Sequence, residues 1–302
     1  IIPSAEVITY RGHTNNHGSL HFVDYREGPI FERQPDGAYK LVRGTLDPRD
    51  LFAEVHRFGG WTQVNHPTIF PPVSPAAAAL CRGCFWEYSD DETDWSQVDA
   101  FEVATGPADI VGTQNPFTVT AIERYEQLLG LGYKIAAVGS SDSHQAGKAD
   151  GPLDAPIGEA RTVVRADELS LRGIRCGVLN RHTYAKVAGA SAPDIRFDAR
   201  PYGWWWWRRA IVGDTIRARG ASFKARVIGG NGRQLLVVKD GVTIATVPVT
   251  SDDFVYRFEG RGPGRWRLQL MRGSLIDTVS TPIWVEPGWG GTQREPCATR
   301  AW

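Results

Sequence analysis

The chain lacks any run of about 18 or more apolar residues, so the sequence offers no membrane-spanning helix. It also lacks an excess of charge. Basic and acidic residues number 34 each, and the formal net charge is +0. General affinity for nucleic acid or an anionic membrane comes from surplus Lys and Arg, so neither partner is expected. Cysteine is scarce. Cys81, Cys84, Cys176 and Cys297 are too few in 302 residues for a disulfide scaffold. Cys81-Arg82-Gly83-Cys84 is a lone CxxC, read first as two buried thiols or a local disulfide and only then as a zinc knuckle. Methionine is nearly absent: Met271 is the single one. The chain opens Ile1-Ile2-Pro3 with no signal-peptide pattern, which reads as a start inside a longer protein or at a processing site. Arginine outnumbers lysine, which fits a GC-rich bacterial coding sequence and leaves cytoplasmic and exported placements both open.

What is present is globular: 42% hydrophobic and 23% charged residues, enough for one large domain or two ordinary ones. Before about residue 190, short apolar runs alternate with helix-like stretches. Trp61–Asn65, Asp99–Val103 and Lys134–Val138 read as strands. Phe117–Gly130 carries Val119, Ile122, Tyr125, Leu128 and Leu129 at helical spacing, with Gly130 and Gly132 as a stop. Asp47 and Pro48 mark a helix start at Thr45–Leu51. This order predicts an α/β layered or barrel domain over residues 1–189. Beyond residue 190 the pattern is all β. Ser222–Val227, Leu235–Gly241 running into an Asp-Gly turn, Val242–Val249 and Arg265–Leu270 predict a small β-sandwich over 190–302, with a Gly-rich tail from Pro287.

Four segments carry chemistry: Glu6-Val7-Ile8-Thr9-Tyr10-Arg11-Gly12-His13, Gly59-Gly60-Trp61-Thr62-Gln63-Val64-Asn65-His66-Pro67, Asp99-Ala100-Phe101-Glu102-Val103, and Ala137-Val138-Gly139-Ser140-Ser141-Asp142-Ser143-His144. In an extended segment, residues i and i+2 face the same way, so Asp142 and His144 would form a compact carboxylate–imidazole pair for Zn, Mn or Fe. His66 ends an apolar strand, and Pro67 stops it. Glu6 lies on a strand with His13 just beyond it.

The order of these segments resembles the polymerase-and-histidinol-phosphatase (PHP) superfamily of metallohydrolases, most closely its CehA/McbA-type branch. The resemblance continues through Ile157–Val164 and Gly177…Arg181-His182-Thr183-Tyr184, and covers about residues 1–190. It implies a distorted (β/α)7 barrel, of which this chain would hold the later part, followed by the sandwich. It implies Glu6 as a carboxylate bridging two metals, with His13, His66, Asp142 and His144 as further ligands for two or three divalent ions. Glu102 falls near the family's site. His17, His21 and His182 are weaker candidates, and His56 reads as structural. The family opens with a His-x-His pair followed by an Asp, and no His-x-His occurs here. A preceding segment or a second chain would supply it, or the site is degenerate.

The resemblance implies a hydrolase acting on a small-molecule phosphoester, or on a carbamate, ester or amide. Asp142 and His144 would serve at the reacting centre, and Arg11 or Arg161 would hold an anionic group. The rival expectation is a binding or scaffold subunit, in which Trp204-Trp205-Trp206-Trp207 meets a partner or a second copy; alternate strand residues point opposite ways, so four consecutive Trp cannot share one core.

Overall fold

A computed structural model describes residues 1–19, 21–26, 31–41, 46–81, 83–145, 151, 154–203 and 208–294. Trp204–Trp207, Cys297 and Arg82 lie outside the described residues. The chain divides into two compact units, built on Ile1–Asp99 and Ala100–Ala298.

The first unit is organised on antiparallel strands. Ser4–Thr9 turns back through Tyr10 and Arg11 into Gly12–His17, with Glu6 opposite Asn15 and Ile8 opposite His13. Trp61–Val64 pairs with the other edge of Gly12–His17, Thr14 opposite Val64 and Asn15 opposite Gln63. Helix α1, Pro48–Arg57, starts as its sequence requires: Asp47 accepts the amide of Arg49, Pro48 fills the first turn, and Leu51, Phe52 and Val55 form its buried stripe. Phe52 stacks on Trp86, whose ring centroid lies 6.2 Å from that of Trp95. Gly12 permits this packing, because a Cβ there would come within 2.4 Å of the Trp86 ring. Helix α2, Pro75–Leu80, is a short turn capped by Ser74 and leads to the Cys81–Cys84 disulfide.

The second unit begins with one strand–helix–strand crossover. Ala100–Thr105 and Ala136–Ser140 pair in parallel, joined by helix α3, Pro116–Gly130. Asn115 caps α3, and Ile122, Tyr125, Leu128 and Leu129 are buried as their spacing predicts, although Val119 is exposed. Helix α4, Leu171–Leu179, lies between the strands Arg161–Val164 and Thr183–Lys186. Those two strands pair with each other, and the second pairs with Leu275–Ser280, which places them in a nine-stranded sheet. A four-stranded sheet holds Asp194–Pro201, Gly220–Ile228 and Asp253–Arg261 side by side, with Ala210–Ile211 on the outer edge. One apolar cluster joins the two sheets, including Phe197, Phe223, Leu235, Trp266, Leu268 and Ile283. Phe223 stacks on Phe258 at 5.0 Å and tilts against Trp266 at 4.8 Å. Asp240 and Gly241 both take positive φ in the turn between Gln234–Lys239 and Val242–Pro248.

The expected (β/α)7 barrel is not formed. Of the described residues, strands hold 41% and helices 17%, and no sheet closes into a barrel. The physical reason lies in the connections. A parallel barrel needs a helical crossover after each strand. Here the turn at Tyr10-Arg11 is two residues long, which forces its strands antiparallel, and α3 is the crossover of a single parallel pair. No described helix is long and apolar enough to cross a membrane.

Candidate metal centre

Strand alternation builds the site in the first unit. Val7 and Thr9 point into the core, so Glu6 and Ile8 face the other way. Cross-strand register puts Asn15 and His13 on that same face, and Glu6 reaches His13 along the diagonal. His13 is therefore inside the second strand of a hairpin rather than beyond a strand end. His66 comes in from the third strand. The Asn65 amide donates to the His13 carbonyl at 3.1 Å and extends the pairing by one residue. His66 then takes φ +26°, which turns its ring out of the strand direction.

The three side chains meet. Glu6 Oε1 lies 3.5 Å from His13 Nδ1 and 3.5 Å from His66 Nε2. The imidazoles sit edge to face with centroids 5.0 Å apart, and both are buried. Asn65 Nδ2 donates to Glu6 Oε1 at 3.0 Å and to Asn15 Oδ1 at 3.0 Å, while Gln63 Nε2 donates to Asn65 Oδ1. His66 Nδ1 is 3.0 Å from the Cys84 carbonyl. A carbonyl only accepts, so Nδ1 carries a proton; Nε2 is the nitrogen that faces Glu6, donating to the carboxylate when it too is protonated and offering a lone pair to a cation when it is not.

These distances suit a cation. Bonds of about 2.0–2.2 Å at tetrahedral angles place ligand atoms roughly 3.4 Å apart. Two imidazoles and a carboxylate are also the donor set that zinc, manganese and iron accept. Burial alone would raise the Glu6 carboxyl pKa. Hydrogen bonds from His13, His66 and Asn65, with the charge of His66, outweigh it and hold the group well below the usual carboxylate range. Glu6 is thus anionic at neutral pH. Beside it opens a cavity of about 370 Å³, whose lining includes Glu6, Asn16, Ser19, His21, Tyr25 and Arg26.

The Cys81–Cys84 loop covers His13. Gly83 has φ +76°, and a Cβ there would stand 2.1 Å from the Thr9 carbonyl oxygen and 3.1 Å from His13 Nε2. Only glycine fits that approach. The Cys84 sulfur joins the ligand atoms of His13 and His66 in a group within 4.8 Å of one another. In the sequence the CxxC stands apart from the histidines. The missing information was that α2 folds this loop back over the hairpin.

The other candidates stand elsewhere. Arg11 makes a two-pronged ion pair with Glu92, at 2.7 and 2.8 Å, and lies over Tyr88. His17 is bonded to Ser4 and Gln63 and stacks on Trp61, and His21 packs on Phe58. His56 pairs with Asp99, which also accepts the Thr62 amide, so it braces α1 against a strand. Asp142 and His144 belong to the second unit. Asp142 takes φ +48°, so the extended geometry expected for the pair is broken, and its carboxylate is 4.0 Å from His144 Nε2. Glu102 is buried in its strand and accepts from Ser140. Arg161 donates to the Gly158 carbonyl. His182 is buried against Asp214 at 3.0 Å, and Arg294 grips the same carboxylate. His182 and Arg294, with Arg165, Arg172 and Arg208, line a cavity of about 500 Å³.

No protein-family model, curated protein or solved structure matches this chain.

Proposed function

We propose that the chain is a metal-dependent hydrolase related to the PHP superfamily, with its ion held by Glu6, His13 and His66. One observation carries the reading: a single carboxylate oxygen stands 3.5 Å from one nitrogen of each of two buried imidazoles. The motif order that resembles the CehA/McbA-type branch supports it, and the reading does not depend on a barrel. A divalent ion there supplies a Lewis acid that lowers the pKa of water and offsets charge developing on the attacked group.

The chain's own residues do the rest. His66 is fixed in one tautomer by the Cys84 carbonyl, and Asn65 aims the Glu6 carboxylate. Three protein ligands leave a coordination position for water or substrate, as catalytic zinc sites do. The cavity beside Glu6 has room for a small molecule, and Arg26 on its lining is paired with Asp24. The bond cleaved is a phosphoester, or a carbamate, ester or amide.

Titration of the 302-residue chain with Zn²⁺, Mn²⁺ and Fe²⁺, followed by assay on aryl phosphates and aryl esters, tests this. Stoichiometric binding with turnover is expected, and Glu6→Gln should weaken binding by roughly a hundredfold or more. Failure to bind any of the three ions would falsify the reading.

A further inference from the structure

We propose that Cys84 is a latent fourth ligand of this centre, withheld by its bond to Cys81 and released by a dithiol reductant. The inference rests on the Glu6–His13–His66 reading and goes beyond it. Three observations meet at this residue. Its sulfur is grouped with the ligand atoms of both histidines inside 4.8 Å. Its carbonyl already orients His66. Its sulfur is bonded to Cys81, with the two Cα atoms 5.5 Å apart.

The oxidation state decides what that sulfur can do. A thiolate is a strong ligand for zinc and iron, whereas a disulfide sulfur has no charge to offer. The oxidised chain thus presents two imidazoles and a carboxylate. The reduced chain adds a thiolate grouped with His13 and His66, while Glu6 stands 3.5 Å from a nitrogen of each histidine, so four donors become available to an ion. The exchange is balanced. A dithiol attacks the Cys81–Cys84 bond, its two sulfurs join as a new disulfide, and two electrons pass to the protein. Cys81 and Cys84 are left as thiols, and the Cys84 proton goes to solvent when the ion takes the sulfur.

Cys84, not Cys81, is assigned the role. Cys84 is buried beside the histidines, while Cys81 is partly exposed at the end of α2. Gly83 keeps the loop seated on the Thr9 carbonyl and on His13, so the Cys84 backbone need not travel for its sulfur to bind. The added thiolate shifts preference from manganese toward softer ions such as zinc. It also fills the position that a catalytic site leaves open, so reduction should tighten the ion's hold and slow turnover together.

Co²⁺ is the probe, because its thiolate complexes absorb in the near ultraviolet and its coordination number shows in the visible bands. The whole chain is titrated with and without excess dithiol, alongside Cys81→Ser and Cys84→Ser, with circular dichroism confirming that each variant is folded. Oxidised protein should bind Co²⁺ without a thiolate band. Reduced protein and unreduced Cys81→Ser should show the band, with affinity raised about tenfold or more. Cys84→Ser should show no band in either state. It also controls for reduction of the other disulfide, in which Cys176 takes part. Identical spectra in both states with Co²⁺ bound would overturn the role of Cys84 and leave the hydrolase reading standing. A band that survives in Cys84→Ser would do the same. No Co²⁺ bound in any state would overturn both.

Discussion

In the strand Gly220–Ile228 of the second unit, Ala221, Phe223, Ala225 and Val227 are buried, and they face an apolar cluster. In the hairpin of the first unit the same two-residue period holds. There Val7 and Thr9 turn inward, and the other face carries Glu6, Asn15 and His13. Identical backbone geometry therefore serves stability in one place and gathers polar, metal-capable side chains in the other. On a face that packs against an apolar cluster, side-chain identity matters mainly through volume. Where one face is polar, a single register fixes which donors meet, and a slip by one residue would dismantle the site.

Substitutions should separate these two uses. Phe223→Ala, at the centre of the stacked rings, should have the largest effect: about 3–5 kcal/mol lost in urea unfolding, with metal affinity unchanged in folded protein. A fall in metal affinity would show that the units are not energetically separable. Asn65→Ala should do the reverse. It removes the amide that aims Glu6, so metal affinity by calorimetry should drop roughly tenfold to a hundredfold, with a small change in urea midpoint.

Part of the acid sensitivity should trace to Asp214 in the second unit, beside the part owed to Glu6 in the first. Burial alone would raise the Asp214 pKa, but hydrogen bonds from His182, Arg294 and the Ile211 amide, with the Arg294 charge, lower it overall. A carboxyl with a lowered folded pKa contributes stability above its unfolded value of about 3.9, and loses it as pH falls through the folded value. Stability measured from pH 6 downward should therefore fall below about pH 4, and Asp214→Asn should flatten that fall while costing about 1–3 kcal/mol at neutral pH. An unchanged acid slope would remove Asp214 as the cause. Arg11→Ala should do least. Its pair with Glu92 is half-exposed, so about 1 kcal/mol or less is expected, and kcat/KM on an anionic substrate should stay put. A large loss there would restore Arg11 as the anion-holding residue.

Local signals in the sequence translated well into structure. Asp47-Pro48 starts α1, Asp240-Gly241 makes its turn, and the apolar period over Phe117–Gly130 is α3. Glu6 and His66 were visible because they flank short apolar runs. What the sequence hid was pairing. The (β/α)7 barrel is implied by the family resemblance, but Tyr10-Arg11 leaves room only for a hairpin. The diagonal from Glu6 to His13 depends on that hairpin's register, and the approach of Cys84 depends on a loop that crosses to another element. Neither is encoded within a window of a few residues.

The bond from His66 to the Cys84 carbonyl is made by main chain. Any residue at position 84 keeps that oxygen, so the imidazole stays aligned whatever side chain is installed beside it. If the proposed centre holds an ion, position 84 is thus a place where its fourth donor could be exchanged for oxygen, nitrogen or nothing while the other three stay in place. On that reading, substitution at one position would change which metal the centre prefers, a route open to selection and to a protein engineer alike.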